Sequence, residues 1–285
     1  MKHTRPSEVR AVLEELDIRP LKALGQHFLI DANILDIILD TVQVTPDDEI
    51  LEVGSGLGVL TEPMARIARR VVSVEKDRRL WTWLKSRYQE FPNLELICGD
   101  MLTMDHEELF RSGLKKVVSN LPYSVGSAIL VNFLKAKNPP HRMILTLQLE
   151  VANRLKAVPS HADFGLLSLW SQLTYDVRIG KTISPSCFYP APRVKSAIIH
   201  LVRRDPPVAE LINKDFFFGL TKFAFSHRRK QLQTILKRAP EALNLSMDRA
   251  LEGLREIGID PRARPEELSV TRWCRLANTL YRQGV

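Results

Sequence analysis

Short apolar runs alternate with segments of helical periodicity along the first half of the chain. Five runs are rich in valine, isoleucine and leucine, and apolar residues recur at intervals of three and four between several of them. The runs occupy residues 49–53, 70–74, 94–98, 116–119 and 142–148. Strands that alternate with helices predict a parallel sheet with helices on both faces. Two later strands, at 174–179 and 197–203, are predicted to close one edge of this sheet as a hairpin-like pair.

The pattern changes after a Pro-rich stretch at residues 205–207, which is predicted to be a linker. Beyond it the apolar residues follow helical periodicity in four segments, at 215–224, 229–237, 247–254 and 265–281. The sequence therefore predicts an α/β domain at residues 1–204 and a small all-α domain at residues 205–285.

The positive charge of the chain is concentrated in this helical part. The formal net charge is +8, and residues 203–285 supply +6 of it, with 16 Lys and Arg against 10 Asp and Glu. A basic domain joined to a nearly neutral one indicates a polyanionic partner such as a nucleic acid. A solvated basic surface without a partner fits the charge count equally well, so charge alone leaves both interpretations open.

Composition argues against several classes of protein. The chain has 285 residues, of which 45% are hydrophobic and 26% charged, as in a folded protein with an ordinary core. No apolar run approaches the roughly 18–20 residues of a membrane span, and the polar N-terminus lacks the apolar core of a secretion signal. Three isolated cysteines and seven histidines without metal-ligand spacing predict no metal site and a reducing, cytoplasmic location.

A glycine-rich turn, Gly54-Ser55-Gly56-Leu57-Gly58, follows the first of the five strands. Glycines there allow backbone N–H groups to approach a ligand closely. The Gly-x-Gly-x-Gly spacing departs from the dinucleotide fingerprint, which would need a glycine at position 59.

Acidic residues end the next two strands. Glu75 can accept both ribose hydroxyls of an adenosine, and Asp100 can accept an adenine amino group. Either acid alone is as often a helix cap or a loop charge. Their recurrence at successive strand ends, where ligands bind in open α/β sheets, predicts an adenosine-containing cofactor.

The turn Asn120-Leu121-Pro122-Tyr123 follows the fourth strand. The N6 lone pair of adenine is delocalised into the ring and is a poor nucleophile, so two acceptors that grip its N–H bonds would favour attack. The Asn120 side-chain carbonyl and the Leu121 backbone carbonyl are predicted to be this pair. Pro122 stiffens the turn and brings no competing N–H, and Tyr123 offers a face for base stacking. Alone, such a turn is more often structural; after three ligand-facing strand ends it predicts methyl transfer.

A proline-rich loop at residues 184–194 contains a second aromatic candidate, Phe188. Its ring is predicted to stack on the opposite face of a flipped or single-stranded adenine that lies against Tyr123. A rigid structural loop with Phe188 in the core is the alternative.

Six segments together resemble the KsgA family of ribosomal RNA adenine N6-dimethyltransferases. They are Lys22–Leu29 (KALGQHFL), Glu52–Thr61 (EVGSGLGVLT), Asn120–Tyr123 (NLPY), Phe164–Gln172 (FGLLSLWSQ), Phe188–Val194 (FYPAPRV) and Phe225–Lys230 (FSHRRK). The resemblance implies a Rossmann-like class I fold that uses S-adenosylmethionine. It also implies transfer of four methyl groups to two adjacent adenosines near the 3′ end of small-subunit (16S) rRNA, within an assembling ribosomal subunit.

The resemblance also assigns residues by position. The family's cofactor contacts fall on His27, Leu29, Gly54, Glu75, Asp100 and Asn120. The family usually has Asn where this chain has His27, whose imidazole can donate or accept a hydrogen bond. Arg228, Arg229 and Lys230 are predicted to contact RNA, and a monomer is expected because the partner is so large.

Three other functions are weighed against this one. A large-subunit rRNA methyltransferase of the erythromycin-resistance type shares the cofactor motifs and the catalytic turn, but the segments at 188–194 and 225–230 argue against it. A non-enzymatic ribosome-assembly factor would not need an intact motif at 120–123. A nicotinamide-dependent oxidoreductase is disfavoured by the glycine spacing.

Overall fold

The computed structural model describes residues 5–18 and 25–284 and divides into two compact units. The first unit comprises Met1–Ala152 and Arg178–Val202, and the second comprises Asn153–Val177 and Arg203–Val285. The predicted domain boundary at residue 204 lies close to the point, between Val202 and Arg203, where the chain passes from the first unit to the second. The segment 153–177, which the sequence pattern placed in the α/β domain, groups with the C-terminal residues.

The strands of the described residues are β1 (Phe28–Leu29), β2 (Glu49–Val53), β3 (Arg70–Glu75), β4 (Leu94–Cys98), β5 (Lys116–Asn120), β6 (Arg142–Gln148), β7 (Tyr175–Ile183), β8 (Phe188–Tyr189) and β9 (Ser196–Arg203). Seven of them form one sheet in the order β4-β3-β2-β5-β6-β9-β7, and β1 pairs with β8 separately. The pairs from β4 to β6 are parallel, and β9 is antiparallel to β6. The five predicted parallel strands are therefore confirmed, and the two later strands lie at one edge.

The described helices up to residue 156 are α1 (Pro6–Glu15), α2 (Ala32–Val42), α3 (Thr61–Ala65), α4 (Arg78–Arg87), α5 (His106–Arg111), α6 (Gly126–Lys135) and α7 (Leu149–Lys156). Aspartates begin three of them, among them α5, where the Asp105 carboxylate accepts the Glu107 and Glu108 N–H groups. The Asp31 carboxylate accepts the Ile34 N–H at the start of α2, and the Asp77 carboxylate accepts the Arg79 and Leu80 N–H groups at the start of α4. Each cap sets the point at which its helix leaves the preceding chain.

The core of the first unit lies between the sheet and its helices. Ile50, Val71 and Val118, from the three central strands, are completely buried and belong to one apolar cluster with Leu35 and Ile38 of α2. Burial of each such side chain contributes roughly 1.5–3 kcal/mol. Strands that are covered on both faces are apolar along their whole length, which is why these runs stand out in the sequence.

A second apolar cluster lies under α1. Val9 and Leu13 of this helix pack with Phe28 of β1, with Leu57 of the glycine-rich turn and with Leu80 of α4. The N-terminal helix therefore backs the turn that follows β2.

The described helices of the second unit, beyond the end of α7, are α8 (Leu166–Thr174), α9 (Lys214–Ser226), α10 (Leu232–Leu236), α11 (Met247–Glu256) and α12 (Val270–Gly284). Two tryptophans organise their core. The Trp170 indole N–H donates to Thr221 Oγ1 over 3.0 Å, and the Trp273 indole N–H donates to the Pro265 carbonyl over 3.1 Å. Residues 153–177 thus bring α8, with Trp170, into the helical unit.

Two general features of the described residues bear on function. Within residues 5–18 and 25–284, every helix is too short or too polar to cross a lipid bilayer. The same residues contain no group of three or more His, Cys, Asp or Glu side chains arranged to hold a metal ion.

Candidate active site

A cleft opens in the first unit at the carboxyl ends of β2, β3, β4 and β5. It encloses about 1060 Å³ of space, part of it open to solvent. The structure gathers all six positions assigned to the cofactor along its walls: His27, Leu29, Gly54, Glu75, Asp100 and Asn120. These positions are far apart in the sequence, and the parallel sheet brings them together because its strands end at one edge.

The glycine-rich turn forms the floor of the cleft beside β2. Gly54, Gly56 and Gly58 have φ angles of +75°, +57° and +76°, in the left-handed region that disfavours residues with a side chain. A Cβ at Gly54 or Gly56 would lie 3.3 Å or more from its nearest neighbour outside the turn. A Cβ at Gly58 would lie 2.5 Å from the Tyr88 hydroxyl. Gly58 is therefore required by packing against Tyr88, and a Cβ at Gly56 would press on the Phe28 ring, whereas a Cβ at Gly54 would make only an ordinary contact with Pro122.

Glu75 ends β3 and is 5% exposed. One carboxylate oxygen accepts the Gly56 N–H over 2.9 Å, and the other accepts the Asp77 N–H over 2.8 Å. Burial raises the pKa of Glu75, and these two backbone bonds oppose the shift. A carboxylate has about four acceptor positions, so those that its backbone partners leave open can receive hydroxyl groups.

Asp100 lies beyond β4 and is paired with Lys76, a residue that no sequence motif marks. Lys76 Nζ lies 2.7 Å from one Asp100 oxygen, and the Leu102 N–H donates to the other over 3.0 Å. The hydrogen bond from Lys76 is the main reason that the pKa of Asp100 is lowered. Lys76 also lines the cleft. The sequence shows that Lys76 is next to Glu75, but it does not show that Lys76 pairs with Asp100.

A third carboxylate, Glu52 of β2, lines the cleft and is 1% exposed. The Thr61 and Ser73 hydroxyls both donate to its Oε2 over 2.6 Å, and Ser73 shares a further hydrogen bond with Ser55. Burial raises the pKa of Glu52 to about 7. The signal for this residue was an acid inside an otherwise apolar strand, directly before the glycine-rich turn.

Asn120 presents an acceptor that has no partner. Its amide nitrogen donates to the His27 backbone carbonyl over 2.9 Å, which fixes the orientation of the amide. Its Oδ1 is buried and accepts no hydrogen bond from the described residues. An unsatisfied buried acceptor costs roughly 1–3 kcal/mol, so this atom marks a place where a donor from a ligand belongs.

Tyr123 is held on two sides. Its hydroxyl shares a hydrogen bond with Ser196 of β9, and its ring lies 4.8 Å from the His27 ring, centroid to centroid, at a tilt of 42°. Burial raises the pKa of Tyr123 to about 12. The phenol is therefore protonated at neutral pH and is not a base for the reaction.

His27 links the start of the first unit to the proline-rich loop. Its Nδ1 lies 2.6 Å from the Pro190 carbonyl, which can only accept, so Nδ1 carries a proton. Leu29, two residues on, is paired with Phe188 between β1 and β8. Of the KALGQHFL segment, Lys22, Ala23 and Leu24 lie outside the described residues.

Phe188 lies in the core and not on the cleft wall. It is 2% exposed, belongs to the apolar cluster that includes Leu29, and meets the Tyr123 ring edge-on at 6.3 Å between centroids. Stacking of a base on Phe188 stays a prediction that needs this ring to be uncovered.

The basic segment predicted to contact RNA lies in the second unit and contains two kinds of residue. The Arg228 guanidinium donates twice to the Ala162 carbonyl over 3.1 Å and lies 3.9 Å from Glu266. Arg229 and Lys230 are exposed, and their side chains have no recorded partner in the described ranges. Arg228 therefore contributes to the structure of the unit, while Arg229 and Lys230 are available to a partner.

A family model for ribosomal RNA adenine dimethylases matches residues 20–282 of the chain. The chain belongs to this family. Two relatives named ribosomal RNA small subunit methyltransferase A support the assignment. The protein of Geobacter metallireducens is 40% identical over 94% of this chain and 98% of its own length, and that of Listeria monocytogenes is 37% identical over 96% and 95%.

Solved structures share the fold. A dimethyladenosine transferase from Plasmodium falciparum superposes with a TM-score of 0.74 at 24% identity, covering 88% of this chain and 96% of its own. The 23S rRNA methyltransferase ErmE superposes with a TM-score of 0.63 at 27% identity, covering 89% and 99%. The Rossmann-like class I fold and the resemblance seen in the sequence are confirmed, and the chain is a ribosomal RNA adenine dimethyltransferase.

Proposed function

We propose that this chain dimethylates N6 of two adjacent adenosines near the 3′ end of small-subunit (16S) rRNA, with S-adenosylmethionine as the methyl donor. The observation that carries the proposal is the buried Oδ1 of Asn120, an acceptor at the end of β5 to which no described residue donates. The small-subunit substrate is taken from the names of the relatives.

The residues along the cleft fit the cofactor. Glu75 would accept the ribose hydroxyls and Asp100 the adenine amino group, each with acceptor positions that its present partners leave open. The backbone at Gly54 and Gly56 can approach the ligand closely. When bound, the cofactor supplies an electrophilic methyl group on a sulfonium.

Asn120 Oδ1 and the Leu121 carbonyl would receive the two N–H bonds of the target amino group. This grip localises the N6 lone pair and stabilises the positive charge that grows on nitrogen as the new N–C bond forms. The bound cofactor would give up its methyl group from sulfur and keep the electron pair of the S–C bond. The alkylated nitrogen is acidic and releases its proton to solvent, so no side-chain base is needed.

Tyr123 would hold the target base. Its hydrogen bond to Ser196 and its contact with His27 fix the ring before a substrate arrives. A fixed aromatic face contributes roughly 1–3 kcal/mol to base binding and aligns N6 for direct displacement. His27 and Leu29 would support the cofactor from the opposite wall, as the family assignment implies.

The second unit would anchor the assembling subunit through Arg229 and Lys230, which are exposed and available for phosphate contacts. We further propose that the protein acts as a monomer in the cytoplasm. Sedimentation of the free protein tests the monomer, since the mass of a single chain is expected.

The decisive experiment offers the enzyme undermethylated small subunits and, separately, large subunits with isotope-labelled S-adenosylmethionine. Mass spectrometry of the RNA should find N6,N6-dimethyladenosine at two adjacent positions of the small-subunit RNA. Product on large-subunit RNA would overturn the substrate assignment. Tight RNA binding without any product would indicate a non-enzymatic assembly factor.

A further inference from the structure

Three carboxylates line the described part of the cleft, and the proposed cofactor contacts use only two of them. Glu75 and Asp100 meet neutral groups of an adenosine, its hydroxyls and its amino group. Glu52 has no such assignment, yet it is the most deeply buried of the three, with 1% exposure. A buried carboxylate without a cation nearby is costly, so its retention in the wall of a ligand cleft calls for a physical reason.

The strand order places Glu52 at a particular point along the cofactor. Glu75 ends β3, Asp100 follows β4 and Asn120 ends β5, while β2 lies between β3 and β5. A cofactor that reaches from the first two residues to Asn120 must cross the end of β2. The sulfonium, which joins the ribose, the methyl group and the amino-acid chain, therefore passes over the strand that contains Glu52.

The surroundings of Glu52 leave one of its oxygens open. Thr61 of α3 and Ser73 of β3 both donate to Oε2. Oε1 accepts no hydrogen bond in the described chain. The titratable groups coupled to Glu52 by charge are Glu75 of β3 and Tyr88, which follows α4. Neither is a cation, so the carboxylate has no positive partner of its own among them.

We propose that Glu52 is the counter-charge for the sulfonium of S-adenosylmethionine and lets the protein bind this donor in preference to its product, S-adenosylhomocysteine. The inference rests on the proposed function. Methyl transfer removes the positive charge from sulfur, so the attraction to Glu52 is present before the reaction and lost after it. An enzyme that must exchange its cofactor for each of four methyl transfers gains from such a device.

The pH dependence has a definite sign. The pKa of Glu52 is raised to about 7 by burial, and a nearby cation lowers the pKa of a carboxyl group. Binding of the sulfonium cofactor near pH 7 should therefore release a proton from Glu52, and binding of the product should not. The preference for the donor should be full at pH 8 and should fall as the pH drops to 6.

Calorimetry of the wild-type protein, Glu52→Gln and Glu75→Gln with both ligands at pH 8 tests the proposal. Glutamine is isosteric and can still accept the Thr61 and Ser73 hydroxyls. We expect Glu52→Gln to weaken S-adenosylmethionine at least about tenfold, equivalent to about 1.4 kcal/mol, and to leave S-adenosylhomocysteine within about twofold. Glu75→Gln is the matched control, because both ligands share the ribose and should lose affinity by the same factor.

Two further measurements complete the test. Titrations in buffers of different ionisation enthalpy measure the protons released on binding. Wild type should release more protons than Glu52→Gln when the donor binds. The two proteins should release equal numbers when the product binds. In wild type, the ratio of the affinity for the donor to the affinity for the product should decrease as the pH is lowered from 8 to 6. This measurement tests the proposal even if Glu52→Gln does not fold. Equal losses for both ligands in Glu52→Gln, or a ratio independent of pH in wild type, would overturn the proposal. Absence of donor binding in wild type would instead contradict the proposed function.

Discussion

The amide of Asn120 shows how one residue can serve both the fold and the reaction. Its nitrogen is occupied by the His27 carbonyl, so its oxygen is the free half of the amide, and none of the described residues donates to it. The sequence placed Asn120 correctly at a strand end, but the motif alone could not show which half of the amide was free. That distinction depends on a contact 93 residues away in the chain.

Replacement of Asn120 by alanine removes this acceptor. We expect the rate of methylation to fall by a hundredfold or more, as when one charge-stabilising group is removed from other active sites. The measurement is single-turnover methylation of undermethylated small subunits. RNA affinity, measured in parallel, should change little, and an unchanged rate would contradict the gripping role.

Glu52 also predicts a pH effect on stability. Its pKa is about 7 in the folded protein and 4.5 in the reference state, so its protonation favours the folded form. This contribution is complete below pH 4.5 and is lost as the pH rises through 7, by ~3 kcal/mol at most. The free energy of unfolding of wild type should therefore fall, relative to that of Glu52→Gln, between pH 5 and pH 8. Parallel pH profiles for the two proteins in urea denaturation would rule this out.

Residues at strand ends could be predicted because parallel strands finish at one edge of the sheet. Gly54, Glu75 and Asp100 are of this kind. Lys76 was missed because its function depends on a side chain 24 residues away. Phe188 was expected at a base and lies in the core, because its role depends on the pairing of two very short strands that no periodicity reveals.

At the scale of elements, the glycine-rich turn combines two requirements that the motif does not separate. Gly54 faces the ligand space, with its nearest potential contact at 3.5 Å from an added Cβ, whereas Gly58 faces Tyr88. Both have positive φ. In this turn, the glycine at position 54 is therefore explained by ligand binding, and the glycine at position 58 by packing against Tyr88.

Alanine at either glycine separates these requirements. Gly54→Ala should cost about 1–2 kcal/mol of stability from backbone strain alone. Gly58→Ala should cost about 1–3 kcal/mol more, because the new Cβ overlaps Tyr88. Urea unfolding, with amide hydrogen exchange in β2 and β3 as a local readout, measures both. Equal losses for the two variants would show that the contact with Tyr88 relaxes without cost.

Secondary-structure elements were predicted best where both faces are buried, because such segments are rich in apolar residues. The parallel strands are mostly apolar and were located within a residue or two. The helix after the glycine-rich turn is short, Thr61–Ala65, because the turn continues to Gly58 and β3 already begins at Arg70. α8 was not predicted as a helix, and its association with α9 depends on Trp170 and Thr221, which are 51 residues apart.

At the scale of the whole molecule, charge and catalysis are distributed over different units. Arg229 and Lys230 belong to the second unit, while the cleft belongs to the first. Replacing both with glutamine should weaken binding to small subunits and reduce the slope of log affinity against log salt by roughly 1.5. Arg249→Gln with Arg255→Gln, on α11, removes the same charge from exposed positions of the same unit and should change the slope much less. Equal slopes for the two double variants would place the RNA elsewhere.

The pairing of β1 with β8 has a consequence for biosynthesis. His27 and Pro190 are in contact although 163 residues separate them, and Tyr123 depends on Ser196 in a similar way. A nascent chain that has emerged only as far as β7 already contains the glycine-rich turn, Glu75 and Asn120, but lacks the surfaces that hold His27 and Tyr123. The site is therefore completed late in translation, and a chain that stalls before residue 196 would be released without a finished cleft.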